Sequence, residues 1–299
     1  MSSTHSQHAK GLLFTAFGGL MLTVDIPLIR LAEGETWSIL VLRSAVTFAS
    51  AVVIWAIWRS ISRDAPSLAP GWTGVAVAAL YGMTSIFFML AVFNTSTANL
   101  VFILAFNTVF SSLLSWIFLK ERPRPATLLT MAVMIVGVLI IVADGLEAGN
   151  FFGDMTALCS AFFVACALTL TRASGKDMGF TALTGVLLPF VVAVFMTMET
   201  GYRIEQPWWI VLNGAVVMPL SFYFLATGPR WISAPEVAMF YLLETILAPV
   251  WVWLIFSEEP TRNALIGGVI LIVALIAHSA WQLWDGRKRR AVLAVRHPV

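Results

Sequence analysis

The chain has 299 residues, of which 59% are hydrophobic and only 11% are charged, and its mean hydropathy is +0.88. A soluble globular domain carries about 25% charged residues, so a protein this apolar has too little polar surface to cover its core in water. The composition therefore predicts a membrane protein. The net charge of +2, with no basic stripe interleaved with aromatics, argues against a nucleic-acid-binding protein.

Ten apolar segments follow one another along the chain, each close to the length of about 20 residues that a helix needs to cross a bilayer. All are expected to be helices, because lipid offers no hydrogen-bond partner to the backbone. The first segment is too long for a signal-peptide core and lacks a small-x-small cleavage site, so we interpret it as a retained span. The predicted spans are 11–31, 37–58, 71–93, 98–119, 126–143, 155–171, 180–198, 208–227, 235–256 and 264–284.

Lysine and arginine residues in the loops predict the orientation of the spans. With the N-terminus inside, fourteen of the 18 Lys and Arg residues lie on the inner side. Only Arg30, Arg203 and Arg262 then lie outside, and Arg43 lies within a span. The expected location is a bacterial inner membrane, with several spans and with both termini in the cytoplasm.

The second half of the chain repeats the first at an offset of 137 residues, which aligns residues 98–140 with 235–277. In both copies a span is followed by Glu-x-Pro and another span, so that Glu121 aligns with Glu258. Five spans are an odd number, and the second copy therefore enters the membrane in the opposite direction. Such inverted repeats are typical of secondary transporters, whose substrate site lies near the midplane. The predicted halves are residues 1–147 and 148–299.

Three stretches carry a resemblance to a known family: residues 25–32, the run 95–123 with its echo at 232–260, and Gly153-Asp154 with Thr171-Arg172 around the sixth span. Together they resemble the drug/metabolite transporter superfamily in its ten-helix EamA-type form. The resemblance covers nearly the whole chain. It implies two five-helix bundles around a central cavity, with the fifth and tenth helices at the periphery. It also implies efflux of small polar or amphipathic metabolites, commonly amino acids, without an ATPase, and the chain has no G-x-x-x-x-G-K-[ST] phosphate loop.

Charged side chains inside a bilayer are costly, and those that persist usually face a cavity or a partner. Asp25 and Arg43 each lie six residues from the outer end of their predicted spans, which is a depth of about 9 Å at 1.5 Å per residue. Two opposite charges at equal depth on successive helices are expected to pair. Two interpretations stay open: a structural ion pair, and an outer gate or binding site for a zwitterion or anion, because Arg can bind both carboxylate oxygens.

Asn107 and Glu244 occupy equivalent positions in the two repeats, each nine residues from the start of its predicted span. Both are therefore expected near the midplane, approached from opposite sides. Two interpretations of Glu244 stay open: it lines the cavity, or it is a protonated structural glutamate. A cavity-lining Glu244 would bind substrate or carry a coupling proton.

Tyr81 and Tyr241 lie inside the third and ninth spans, and both are candidates for the cavity wall because a buried hydroxyl needs a partner. Cys159 and Cys166 cannot build a metal site or a disulfide framework. No metal and no cofactor is expected. The expected partners are a small-molecule substrate and the lipid bilayer, and a monomer is expected because the inverted repeat needs no second subunit.

Amino acids, including aromatic and hydrophobic ones, lead as substrates because Arg43 with Glu244 or Asp25 could bind the two ends of a zwitterion. Drugs, nucleosides and sugars stay open as alternative substrates. A channel is disfavoured because no filter loop is found. An intramembrane enzyme is disfavoured because the G-x-G-D, G-x-S-G and H-E-x-x-H motifs are missing, and the chain is expected not to be an enzyme.

Overall fold

The chain folds as an all-α membrane protein. The computed structural model describes residues 2–61, 68, 70–176, 178, 180–227 and 234–296. Within them the helices are α1 (Ser2–Leu22), α2 (Asp25–Leu31), α3 (Thr36–Ile61), α4 (Gly71–Asn94), α5 (Thr97–Leu104), α6 (Asn107–Leu119), α7 (Pro125–Ala148), α8 (Phe151–Ser174), α9 (Thr181–Thr184), α10 (Leu187–Thr200), α11 (Pro207–Leu212), a π-helix (Asn213–Val217), α12 (Met218–Thr227), α13 (Ala234–Phe256) and α14 (Arg262–Arg296). No β-strand occurs among these residues.

These helices form the ten predicted spans. Four spans are interrupted: the first consists of α1 and α2, the fourth of α5 and α6, the seventh of α9 and α10, and the eighth of α11, the π-helix and α12. Nine spans within the described residues are long and apolar enough to cross a membrane. The ninth in chain order is α13, which is apolar from Phe240 to Phe256 and completes the ten. The predicted fold, two inverted five-helix repeats around a cavity, is confirmed.

The two ends of the bundle differ in charge. We call the end that carries Glu33, Glu205 and Glu258 the acidic end, and the end that carries Arg122 and Arg172 the basic end. At the acidic end, loops of opposite repeats pair through their backbones. The N–H of Glu205 donates to the carbonyl of Glu33 at 3.0 Å, and the N–H of Glu35 donates to the carbonyl of Arg203 at 2.9 Å. These bonds hold the two repeats together at the acidic end.

Burial along the fourth span differs between its two halves. In α5, which forms the half near the acidic end, every residue from Thr97 to Ile103 is buried. In α6, which forms the half near the basic end, Val109 is the single buried residue. The fourth span is therefore packed inside the bundle near the acidic end and more accessible near the basic end.

The fifth and tenth spans pack against each other and face lipid. A Cβ added at Gly267 of α14 would lie 2.7 Å from the carbonyl oxygen of Gly137 in α7, so the two backbones are in direct contact. Small residues permit this close approach of membrane helices. The other side of α7 exposes Leu129, Val136 and Leu139, as expected of a helix whose outer face contacts acyl chains.

Prolines account for three of the four interruptions. A proline has no N–H to donate to the carbonyl four residues earlier. Pro27 follows the break at Thr23–Val24, Pro189 follows the break at Gly185, and Pro219 follows the π-helix. Pro249 lies inside α13, which continues without a break. Irregular backbone at membrane depth is tolerated where it is buried in protein or lines a cavity, so the breaks mark where a site is expected.

Candidate functional site

Three interrupted or charged spans meet at a buried polar cluster of Asp25, Arg43 and Asn213. Asp25 begins α2 directly after the break in the first span, Arg43 lies in α3, and Asn213 begins the π-helix of the eighth span. All three side chains are buried, with Asn213 fully inaccessible. The breaks that accompany Pro27 and Pro219 thus place Asp25 and Asn213 beside Arg43.

The expected pairing of Asp25 with Arg43 is present. Nη2 of Arg43 donates to both carboxylate oxygens of Asp25, at 2.9 and 3.0 Å. Asn213 completes the cluster by donating from Nδ2 to Oδ1 of Asp25 at 2.6 Å and accepting from Nε of Arg43 at 3.2 Å. A buried charge needs a charged partner and further hydrogen bonds to offset its desolvation. The cluster supplies both and connects one span of the second repeat to two of the first.

Glu244 of α13 lies close to this cluster. Its carboxylate is within electrostatic range of Asp25 and Arg43, and within range of Tyr241. Tyr241 precedes Glu244 by three residues, so the two share a face of α13, and Tyr241 in turn lies near Tyr81 of α4. Five of the six candidate residues, contributed by spans 1, 2, 3 and 9, are therefore brought together.

Two groups at this site keep unused hydrogen-bonding capacity. Among the described residues, the hydrogen bonds of Arg43 use Nε and Nη2, and Nη1 has no partner. The carboxylate of Glu244 forms no hydrogen bond or ion pair within the described part of the chain, and the residue is half-buried. Tyr241 beside it is 42% exposed although it lies inside a span. A guanidinium and a carboxylate with unused hydrogen-bonding capacity thus lie near each other.

Asn107 lies apart from the other candidates. It begins α6 at the break after Ala105 and is half-buried, and no described hydrogen bond connects it to Glu244 or to the cluster. The break lies near the middle of the fourth span, in line with the predicted depth of Asn107. Its predicted contribution to the cavity stays a prediction.

Sequence reasoning left the role of Asn213 open and did not find the second buried polar cluster. In that cluster, the fully buried Asp154 accepts from Oγ1 of Thr95 at 2.5 Å and from Nδ2 of Asn99 at 3.3 Å. Asp154 lies in the first turn of α8, where the helix dipole favours a carboxylate. The only sequence signal was the Gly153-Asp154 pair at the start of the sixth span.

Two inverted repeats and spans broken beside a polar centre form an architecture that many secondary transporters share. The model described as the EamA-like transporter family matches residues 9–143 and 151–279. The chain belongs to this family, which is of the drug/metabolite transporter class, and it is a multi-pass membrane protein.

Individual relatives agree with this family. The pseudopaline exporter CntI of Pseudomonas aeruginosa (strain UCBPP-PA14) is 28% identical over 178 residues, which cover 57% of this chain and 61% of the relative. Human solute carrier family 35 member G1 is 25% identical over 227 residues, which cover 68% of this chain and 60% of the relative. The matches thus span about three fifths of these relatives' lengths. A protein of known crystal structure shares the fold, with a TM-score of 0.62, 16% identity and coverage of 91% of this chain and 96% of that one.

Proposed function

We propose that the chain is a secondary exporter of small zwitterionic metabolites, with amino acids, including aromatic and hydrophobic ones, as the leading substrates. The observation that carries the proposal is the pair of unused groups, Nη1 of Arg43 and the carboxylate of Glu244, which lie near each other. The two groups match the carboxylate and the ammonium of an amino acid. The side chain of the substrate would then lie against Tyr81 and Tyr241.

The cluster around Arg43 gives the site its geometry. Asp25 and Asn213 hold the guanidinium through Nη2 and Nε, so Nη1 is the atom left to bind a substrate carboxylate. A charge-assisted hydrogen bond of this kind is about twice as strong as a neutral one. Because the guanidinium is already fixed, little conformational entropy is lost when the substrate binds.

Glu244 supplies the coupling in this proposal. One carboxylate can hold either a proton or the ammonium group of the substrate. Competition for Glu244 would therefore exchange an outgoing substrate for an incoming proton. Export in this direction needs the basic end to face the cytoplasm, as the distribution of Lys and Arg predicts. The cavity at the basic end would then admit substrate from the cytoplasm. Export of pseudopaline by the bacterial relative is in line with this direction.

The test is substrate counterflow in liposomes that contain the purified protein, with labelled zwitterionic amino acids outside and an unlabelled candidate inside. We expect saturable counterflow for a subset of amino acids. Counterflow itself separates a carrier from a channel. We expect Glu244→Gln to abolish transport that is driven by a proton gradient. The matched control is Glu199→Gln, an exposed glutamate at the end of α10, which should transport as the wild type does.

Two results would contradict the proposal. Counterflow of drugs, nucleosides or sugars with none of amino acids would assign another substrate class to the same fold. Unchanged transport by Glu244→Gln at all proton gradients would remove this carboxylate from both binding and coupling.

A further inference from the structure

Besides the backbone bonds between its loops, the acidic end carries a glutamate–arginine ion pair between the repeats. Arg30, in the last turn of α2, forms an ion pair with Glu258, which follows α13. Oε1 of Glu258 also accepts the backbone N–H of Thr97, at the start of α5, at 2.7 Å. Nη2 of Arg30 donates to the carbonyls of Val92 and Thr95, each at 3.1 Å. The two side chains therefore connect spans 1, 3, 4 and 9.

The basic end carries the repeat-related copy of this contact. Glu121 aligns with Glu258, and each follows a residue with a left-handed backbone: Lys120 at φ 57° and Ser257 at φ 55°. Positive φ is uncommon outside glycine, so its presence at both aligned positions shows that the two turns share one geometry. Glu121 pairs at 3.0 Å with Arg172, in the last turn of α8. α8 is the first span of the second repeat, so Arg172 ends the first span of its repeat as Arg30 ends the first span of the other.

The two copies are in different environments. At the acidic end, the side chains of Arg30 and Glu258 are 19% and 26% exposed. At the basic end, the side chains of Arg172 and Glu121 are 64% and 47% exposed. A cavity of about 540 Å³ opens beside this second pair. Its lining includes Ser111, Ser112, Glu121 and Arg172.

We propose that Glu258 and Glu121 are alternating gate residues, each of which closes its own end by capping a helix of the other repeat. The helix capped at the acidic end is α5, through Thr97. Under the same alignment Thr97 corresponds to Ala234, the first residue of α13. In the state that is open at the acidic end, Glu258 releases Thr97 and Glu121 accepts a backbone N–H in the first turn of α13. This inference rests on the alternating access of the proposed function.

The physical basis is the same at both ends. The first N–H groups of a helix have no intrahelical partner, and the positive end of the helix dipole attracts a carboxylate. When an end opens, water replaces this contact at both the carboxylate and the backbone N–H group. Because the two gates are built from equivalent groups, breaking one and making the other nearly cancel in free energy. Both states are then populated enough to exchange, and removal of one gate shifts the ratio between them.

The experiment measures distances across the acidic end without any substrate. Asn94 and Glu259 are exposed and belong to opposite repeats. With Cys159 and Cys166 replaced by Ser, nitroxide labels are attached at Asn94→Cys and Glu259→Cys, and their separation is measured by pulsed electron paramagnetic resonance. We expect Glu258→Gln to increase a longer-distance population about tenfold relative to the shorter one, which corresponds to about 1.4 kcal/mol. Arg30→Gln should act in the same direction.

The matched variants distinguish a gate from a general loss of structure. Glu121→Gln should produce no longer-distance population, because it weakens closure at the basic end only. Glu205→Gln removes an exposed pair with Arg203 at the acidic end and should leave the distribution unchanged. The proposal is overturned if Glu258→Gln leaves the distances unchanged, or if Glu121→Gln lengthens them equally. Because no substrate is present, the distances test the gate even where the counterflow assay finds no zwitterion transport.

Discussion

Asp25→Asn tests whether the buried cluster stabilises the bundle through its charge. The substitution keeps the size of the side chain and one oxygen acceptor, but it leaves the guanidinium of Arg43 without a counter-ion. The side chains of Asp25 and Arg43 are only 5% and 8% exposed. Removing one partner of a buried ion pair costs about 3–5 kcal/mol. We expect the low end, about 3 kcal/mol, because Asn213 and the introduced asparagine still offer oxygen acceptors to the guanidinium of Arg43.

The assay is thermal unfolding of the purified protein in detergent, followed by the fluorescence of its 12 tryptophans. At about 2–4 °C per kcal/mol for a protein of this size, Asp25→Asn should lower Tm by about 6–12 °C. The double variant Asp25→Asn/Asn213→Asp moves the carboxylate to the other neighbour of Arg43. It should recover most of the loss, because the oxygen of Asn213 already lies 3.2 Å from Nε of Arg43.

The reasoning is refuted if Asp25→Asn alone unfolds at the wild-type temperature. That result would mean that hydrogen bonds, which an asparagine also makes, stabilise the cluster without its charge. A double variant as unstable as the single one would show that Arg43 needs its carboxylate on the first span, where both oxygens can bind Nη2.

Three further predictions concern packing and topology. A Cβ added by Gly145→Ala would overlap Oδ2 of the buried Asp154, and we expect a loss of about 1–3 kcal/mol in the free energy of unfolding, measured by the same thermal assay. Gly267→Leu should separate α14 from Gly137 of α7 and cost a similar amount, whereas a thermal transition equal to the wild type would show that the two spans can move apart freely. A fluorescent protein that folds only in the cytoplasm should fluoresce when fused after Val299, and alkaline phosphatase fused there should be inactive.

Hydropathy alone placed the spans, because the bilayer imposes one length and one polarity on each of them. The third span, predicted at 71–93, is observed at Gly71–Asn94, and the tenth, predicted at 264–284, at Arg262–Asp285. The exception is the end of α14, which continues to Arg296. Beyond the bilayer a charged helix is stable in water, so hydropathy shows where the membrane ends and leaves the end of the helix undetermined.

The interruptions were predictable only in part. A proline inside a span favours a kink, and three of the four have an interruption about four residues earlier, at the carbonyl that proline leaves without a donor. Pro249 has none, and α13 continues through it. The break at Ala105–Phe106 has no proline after it, and no local sequence signal distinguishes it from continuous helix.

Asp25, Arg43 and Glu244 could be identified as candidate site residues from the sequence because each is ionisable and lies inside a predicted span. Asn213 gave no such signal. Asparagine is tolerated in membrane helices as a packing residue, and its importance here comes from its position, where a π-helix directs its amide between Asp25 and Arg43. The convergence of three distant spans cannot be read from a single sequence.

The repeat preserves the gate and changes the binding chemistry. Glu121 and Glu258 are the same residue in the same turn, but at the equivalent midplane positions Asn107 stands opposite Glu244. Glu244 lies near Asp25 and Arg43 of the first repeat, whereas the seventh span, the counterpart of α3, has no charged residue before Glu199. We therefore expect Asn107→Glu to fail to restore counterflow in Glu244→Asn, because a carboxylate at position 107 has no guanidinium to complement. Restored counterflow would show that the two midplane positions share one cavity and that depth in the membrane, rather than the neighbouring Arg43, determines recognition.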